Sequence, residues 1–283
     1  QQAFQKWENN HDGYGSFEDL EGASLEDVRA FHRDYYGPNN AVLAIAGDVT
    51  PAQGFALAQK YFGTIPARAV PKGGDFSEPL NTAEKRIEQS DALAQVPAVA
   101  MAWKVPERGS RDQAPMAVLA ELLAGGDASR LYQGLVKGRE LALNVDVLFG
   151  LVRPWEYGGP TPLTIYAMYK PTTNADAILA AVDEEVAKIV KDGVDAATLK
   201  RVKTRMLADW NNGLESFINR ADTVARLQTI WGDAKVVNKI PGWIEGVTSS
   251  DIQRAASTYL VKTNRTVIDR KPVAKPAAAG DKK

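Results

Sequence analysis

Between residues 24 and 63 the apolar positions change their rhythm three times. Leu25, Val28, Phe31 and Tyr35 recur at helical spacing behind Ser24, and Asp27 makes an Asp-for-Glu capping box with that serine. Gly37-Pro38-Asn39-Asn40 breaks the pattern, because Pro38 disfavours helix at the residue before it. Residues 41–47 (AVLAIAG) are short, continuous and apolar, the pattern of a buried strand. Thr50-Pro51-Ala52-Gln53 then restarts a helix with a capping hydroxyl, and Phe55, Leu57, Ala58 and Phe62 carry it to Gly63.

The first half of this unit returns, degraded, near the other end of the chain. Thr248, Asp251 and Tyr259 follow Ser24, Asp27 and Tyr35 at an offset of 224 residues. Asn264-Arg265-Thr266-Val267-Ile268 follows Asn39-Asn40-Ala41-Val42-Leu43 at 225, so a one-residue gap aligns the copies. The pattern predicts a duplicated architecture, whole in one half and partial in the other. The second copy begins near residue 82 and reaches its helix cap at 248, so equal repeats would place about 140 residues of the first copy before Gln1. The absence of an initial Met and the polar first segment fit a truncated chain.

Residues 66–81 are rich in Pro, Gly and charge and carry the boundary. The expected organisation is the C-terminal part of a first domain over 1–75, a linker at 76–81, a complete second domain over 82–270 and a disordered Pro/Ala/Lys-rich tail at 271–283. The second domain opens with a strand near Arg86 to Pro106, along which Val99, Met101, Trp103 and Val105 alternate. Ser110 and Gln113 are expected to cap a helix carrying Met116, Leu119, Leu122 and Leu123, stopped by Gly125-Gly126. A short helix follows over about 128–137. Val145, Val147, Phe149 and Leu151 alternate, as do Ile165, Ala167 and Tyr169, predicting two strands paired through Gly158-Gly159-Pro160. Ile178, Val182, Val186 and Ile189 line one long helix, and Leu199, Val202, Met206 and Trp210 line the next. A helix over about 218–231 precedes the repeated helix and strand. Strands first and helices later predict an α+β fold, an antiparallel-rich sheet with helices on one face.

Composition narrows the functions. With 34 basic and 35 acidic residues there is no electrostatic argument for nucleic acid or an anionic membrane. The absence of cysteine excludes disulfides, cysteine-ligated clusters and thiol catalysis, and suits cytoplasm or periplasm alike. No apolar run approaches the ~20 residues of a membrane span.

Candidate chemistry is sparse. His11, within Glu8-Asn9-Asn10-His11-Asp12, superficially resembles a metal ligand but reads better as a turn residue; His32 reads as a surface or half-buried helix residue. Glu184-Glu185 and Glu26-Asp27 are adjacent rather than opposed, and read as solvated faces and caps. Gly125-Gly126-Asp127 offers an anion a helix start, against the simpler reading of a C-cap followed by an Asp N-cap. Arg130 is a candidate peptide contact or a structural ion-pair partner, and Trp155-Glu156-Tyr157 reads as a loop anchor.

The run SLEDVRAFHRDYYGPNNAVLAIAGDVTP, followed by a helix ending KYFGTIP, resembles the insulinase/pitrilysin (M16) zinc metallopeptidases. LLAGGDASRLYQGLVKGRELA over 122–142 has a counterpart there, with Ser129-Arg130-Leu131 opening a helix after a glycine stop, and the likeness covers about 14–270. The resemblance implies two homologous α+β domains facing each other around a peptide-binding chamber. It also implies zinc held by a His-x-x-Glu-His helix and a later Glu. That motif is missing: the two histidines, His11 and His32, lie 21 residues apart. An Arg and a Tyr seven residues apart, which bind substrate in many members, fall at Val136 and Leu143, with Arg139 out of register.

The resemblance therefore implies the non-zinc half of a metalloendopeptidase, inactive alone, whose zinc resides upstream or in a partner. The alternative is a non-catalytic homologue acting as partner or assembly subunit. Neither reading assigns a catalytic, substrate-binding or metal-ligating residue in this chain. Peptide is the expected substrate, a homologous subunit or zinc-bearing domain the expected partner, and the periplasm the expected location.

Overall fold

The computed structural model describes residues 1–11, 13, 15–150 and 153–273. The expected tail beyond 273 and the strand position Leu151 lie outside them. The chain divides into two compact units. One comprises Ala3–Glu78 and Leu207–Trp243; the other comprises Pro79–Met206 and the chain from Ile244 onward.

The helices of the chain are α1 (Trp7–Asn10), α2 (Phe17–Gly22), α3 (Leu25–Tyr35), α4 (Pro51–Phe62), α5 (Gln113–Ala124), α6 (Ala175–Asp192), α7 (Ala196–Gly213), α8 (Phe217–Trp231), α9 (Ile240–Gly246) and α10 (Ser249–Tyr259). The strands are β1 (Lys85–Asp91), β2 (Ala98–Lys104), β3 (Ala142–Phe149), β4 (Pro162–Tyr169) and β5 (Arg265–Pro272). All five belong to the second unit and form one sheet in the order β1-β5-β2-β4-β3. Three of the four pairings are antiparallel; β1 and β5 run parallel. The α+β reading and the β3–β4 pairing hold. The strand expected from Arg86 to Pro106 is instead two, β1 and β2, because the chain turns between them and β5 enters the gap.

The sheet is apolar on one side. Val99, Met101 and Trp103 of β2 are buried, and across β4 they meet Ala167, Ile165 and Leu163, buried on the same face. Intervening positions such as Ala100, Thr164 and Tyr166 are half-exposed. Onto the sheet pack α5 and α6, and α10 packs against both; their buried residues include Leu119, Leu123, Ile178, Val182, Ile252 and Ala255.

Two polar devices fix β5 between β1 and β2. Asn264, fully buried, donates through Nδ2 to the carbonyls of Lys104 and Tyr259, both at 2.9 Å, tying the end of β2 to the end of α10. Its Oδ1 accepts from the Asn81 backbone N–H at 3.3 Å. Arg265 is buried over the Trp103 ring and reaches Glu84 Oε2 at 2.6 and 2.8 Å and Asp183 Oδ1 at 2.7 Å. One guanidinium thus links β5, the entry to β1, and α6. Burial pushes the Glu84 carboxyl up, but hydrogen bonds from Arg86 and Arg265 outweigh it and leave the group below its ordinary value.

The duplicated helix start is real at the atomic level. Ser24 Oγ accepts from Asp27 N at 3.2 Å while Asp27 Oδ2 accepts from Ser24 N at 2.8 Å. Thr248 and Asp251 repeat both bonds at 3.2 and 3.0 Å. The turn that follows repeats as well: 3₁₀ turns occupy Pro38–Asn40 and Lys262–Asn264. Asn40 Nδ2 donates to Tyr35 O at 2.9 Å, as Asn264 Nδ2 does to Tyr259 O. Both bonds keep the 224-residue offset through the turn, so the one-residue gap expected from sequence is not needed.

Residues 41–47 depart from expectation. They form no strand, whereas their repeat, β5, does. A strand requires ladder partners, and among the described residues this segment has none. The cap of α5 also differs. Ser110 does not cap it; Asp112 is the N-cap and makes no side-chain cap bond. Gln113 spends its amide on Gly109 N at 2.7 Å and Pro154 O at 2.9 Å.

Two outcomes follow. Arg265→Met leaves Glu84 with Arg86 alone and Asp183 with Lys262 alone, and removes the guanidinium that joins them, so the urea midpoint should fall by the equivalent of about 3 kcal/mol. The Thr248 hydroxyl draws the Asp251 carboxyl down to about 2, with Arg254 adding to it. This lowered value contributes stability that is whole above the ordinary 3.8 and lost as pH falls through about 2. Asp251→Asn should therefore destabilise by about 1 kcal/mol at pH 7, with the difference from the parent shrinking between pH 4 and 2.

Candidate functional site

The segment from the end of α5 to β3 carries the family-like motif, and it is built stepwise. Gly125 closes α5 by donating its N–H to Glu121 O at 2.9 Å. Gly126 takes a positive φ of 77°, a conformation that favours glycine. Arg205 donates to the Gly125 carbonyl and pairs with Glu121 at 3.1 Å, so the turn is pinned from α7. The Asp127 carbonyl accepts from Gln133 Nε2 at 2.7 Å. The turn's acceptors are thus occupied from within the fold.

The next helix is capped by Ser129, not by Asp127 as the sequence pattern indicates. Buried Ser129 Oγ accepts from Tyr132 N at 3.4 Å. The helix then widens into a π-helix over Tyr132–Gly138. Leu131 and Leu135 anchor it in the core, and Leu141 N returns to Leu135 O at 2.8 Å. Glu140, at a φ of 52°, turns the chain into β3 and pairs with Lys170 at 3.3 Å. Positive φ outside glycine is strained, and here it marks the joint between π-helix and strand.

Val136 is half-buried on the π-helix and Leu143 exposed at the start of β3. Neither side chain can carry charge or donate a hydrogen bond to a substrate carbonyl. Arg139 is held by Glu184. Arg130 is half-buried at the start of this helix. Glu185 pairs with Lys188 at 2.5 Å and Asp27 closes the capping box of Ser24, so neither acidic pair forms an opposed dyad. Trp155, Glu156 and Tyr157 are buried, with Tyr157 Oη donating to Pro106 O at 3.0 Å, as befits a loop anchor.

The two sheet edges differ in chemistry. β1 is charged: Arg86 pairs with Glu84 and Asp176, and Glu88 with Lys271. Such an edge resists further pairing. β3 pairs only with β4, through a bulge between Ala142 and Asn144, and exposes Leu143 and Leu148. Its outer backbone groups have no strand partner among the described residues. Which strands stand at the edges is set by distant segments and could not be read from local spacing.

The zinc implied by the resemblance does not fit this chain's donors. His11 Nδ1 lies 2.7 Å from Trp7 O and its ring stacks on Trp7; the His32 ring stacks on Tyr36. Among the described residues no three His, Asp or Glu side chains gather as a metal-binding group. No helix among them is long and apolar enough to cross a membrane.

A family model described as "Peptidase M16 inactive domain" matches residues 22–206, and the chain belongs to that family. It is similar to the zinc protease PqqE of Helicobacter pylori, 26% identical over 267 residues, covering 91% of this chain and 57% of that protein. Its fold matches that of a protease from Helicobacter pylori at a TM-score of 0.80 and 24% identity, covering 91% of this chain and 62% of that one. It matches equally a peptidase M16 inactive domain from Pseudomonas fluorescens, at a TM-score of 0.80 and 18% identity, covering 97% and 63%. The chain spans little more than half the length of the curated relative it matches.

Gly126→Ala should lower stability by about 1–2 kcal/mol in urea titrations, because alanine resists this φ. A Cβ there would also lie 2.8 Å from Arg205 Nη1. An unchanged loss in an Arg205→Ala background identifies backbone strain as the cause; a reduced one identifies the clash.

Proposed function

We propose that this chain supplies the non-zinc half of a peptide-binding chamber in an M16-type zinc metalloendopeptidase, and is inactive by itself. The observation that carries the reading is the pairing of an M16 inactive-domain match with a donor set unsuited to zinc. Zinc belongs, on this proposal, to a homologous half outside residues 1–283, upstream or on a partner. An extended, unfolded peptide adds to the outer edge of β3, whose backbone donates and accepts while Leu143 and Leu148 offer apolar contacts. The cysteine-free composition suits a periplasmic location.

Val136 and Leu143 favour a second reading. With neither position able to polarise a carbonyl, the parent protein serves as a non-catalytic partner or assembly subunit of a protease complex.

Zinc content and cleavage of an unstructured peptide, measured on this chain and on the longer native protein, separate the two. One zinc and cleavage in the longer form alone support the chamber half. A longer form without zinc or cleavage leaves the partner-subunit reading.

A further inference from the structure

A cavity of about 410 Å³ opens in unit two toward the β1 edge of the sheet, where α6 begins. Pro97, Tyr169, Leu179, Val267 and Asp269 form its buried lining. Arg86, Glu88, Asp176 and Lys271 are exposed around it. The cavity thus has a mainly apolar floor holding one carboxylate, and charge at its mouth.

The register of β5 puts that carboxylate there. Arg265, Val267 and Asp269 alternate onto one face of the strand, and Asp269 stands opposite Val99, which is fully buried. Asp269 is itself only 8% exposed. A carboxylate on an apolar sheet face is costly unless it is bonded. The buried Tyr169 hydroxyl donates to Asp269 Oδ1 at 2.5 Å and fixes its orientation. The other oxygen faces the Lys271 ammonium at 3.3 Å, and that ammonium also reaches Glu88 at 3.0 Å.

The charges at the mouth do not cancel. Arg86 divides its guanidinium between Asp176 at 2.6 Å and Glu84 at 2.5 Å, and Glu84 is not part of the lining. Lys271 is shared between Glu88 and Asp269. The lining therefore sets Arg86 and Lys271 against Glu88, Asp176 and Asp269, with acid in excess. An entering anion meets cations that are already engaged, whereas an entering cation meets surplus carboxylate. Among the described residues no three His, Asp or Glu side chains gather as a metal-binding group, so acid spread this widely suits an organic cation. The Glu88 and Asp176 side chains are 77% and 75% exposed, and ion pairs so exposed contribute little to folding.

We propose that this cavity binds a primary ammonium on a short apolar stem, the chemistry shared by a small diamine and a lysine side chain. The ligand ammonium takes the place that the Lys271 ammonium holds between Asp269 and Glu88, and the stem lies along Val267, Leu179 and Pro97. The site needs neither zinc nor the β3 edge, so it stands or falls apart from the peptidase reading.

Ligand-observed NMR titration of the protein with cadaverine, Nα-acetyl-lysine methylamide and hexanoate tests the assignment. At least one amine should bind with a Kd of about 1 mM or tighter, and hexanoate should not displace it. Binding of the diamine alone assigns a free amine as the ligand; binding of the lysine derivative alone assigns a peptide side chain. Lys271→Ala empties the ammonium position and should tighten amine binding about tenfold, while Glu88→Gln should weaken it by about the same factor. Asp269→Asn should abolish it; both exposed substitutions remain informative if this buried one unfolds the protein. No amine binding at about 10 mM overturns the proposal. So does hexanoate binding in place of the amines, or amine binding that Lys271→Ala and Glu88→Gln leave unchanged.

Discussion

The fold depends on strand pairing that no local sequence can supply. β5 follows its capped helix and 3₁₀ turn as residues 41–47 follow theirs, and both segments are apolar enough for a sheet. Only β5 is a strand, because β1 and β2 arrive from more than 160 residues away to satisfy both of its edges. Asn264 and Arg265 hold that arrangement with buried hydrogen bonds and charge. Among the described residues the other copy has no such neighbours, and there the same pattern is a loop between well-capped helices. Helix capping is satisfied within four residues; sheet formation is a property of the ensemble of segments.

That distinction explains how much could be read from the sequence. Ser24-Asp27, Thr50-Gln53 and Thr248-Asp251 were legible because each box closes on itself, and the buried stripe of α6 followed from its spacing. The strand at 41–47 was misread because apolarity measures fitness for a sheet, not the presence of one. The expected one-residue gap came from matching Asn39 to Asn264, whereas the Asn40 amide makes the equivalent bond. At α5 the Ser110/Gln113 pattern fitted a cap, but Gln113 is drawn to Gly109 and Pro154 instead.

The candidate site was less legible than the fold. Val136 and Leu143 stood out only through a family resemblance, since apolar residues carry no chemical signature of their own. The π-helix was invisible because Leu131 and Leu135 keep ordinary helical spacing while the backbone between them widens. Arg205 gave no signal of its clamp on the Gly125 turn, which it reaches from a helix 80 residues away. Which edge of the sheet stays open was equally hidden, being decided by the order in which five strands assemble.

The place of β5 between β1 and β2 also sets a schedule. A chain is made from its N-terminus at about 5–20 residues per second, so the interval between β1 and β5 takes on the order of 10–40 s to synthesise. Throughout that time β1 and β2 exist without the strand that joins them, and the apolar face of β2 has only part of its cover. A nascent chain in this condition offers an open sheet to any neighbour that can pair with it. For this fold the open sheet persists until the whole of β5, Arg265–Pro272, is available to pair with β1 and β2.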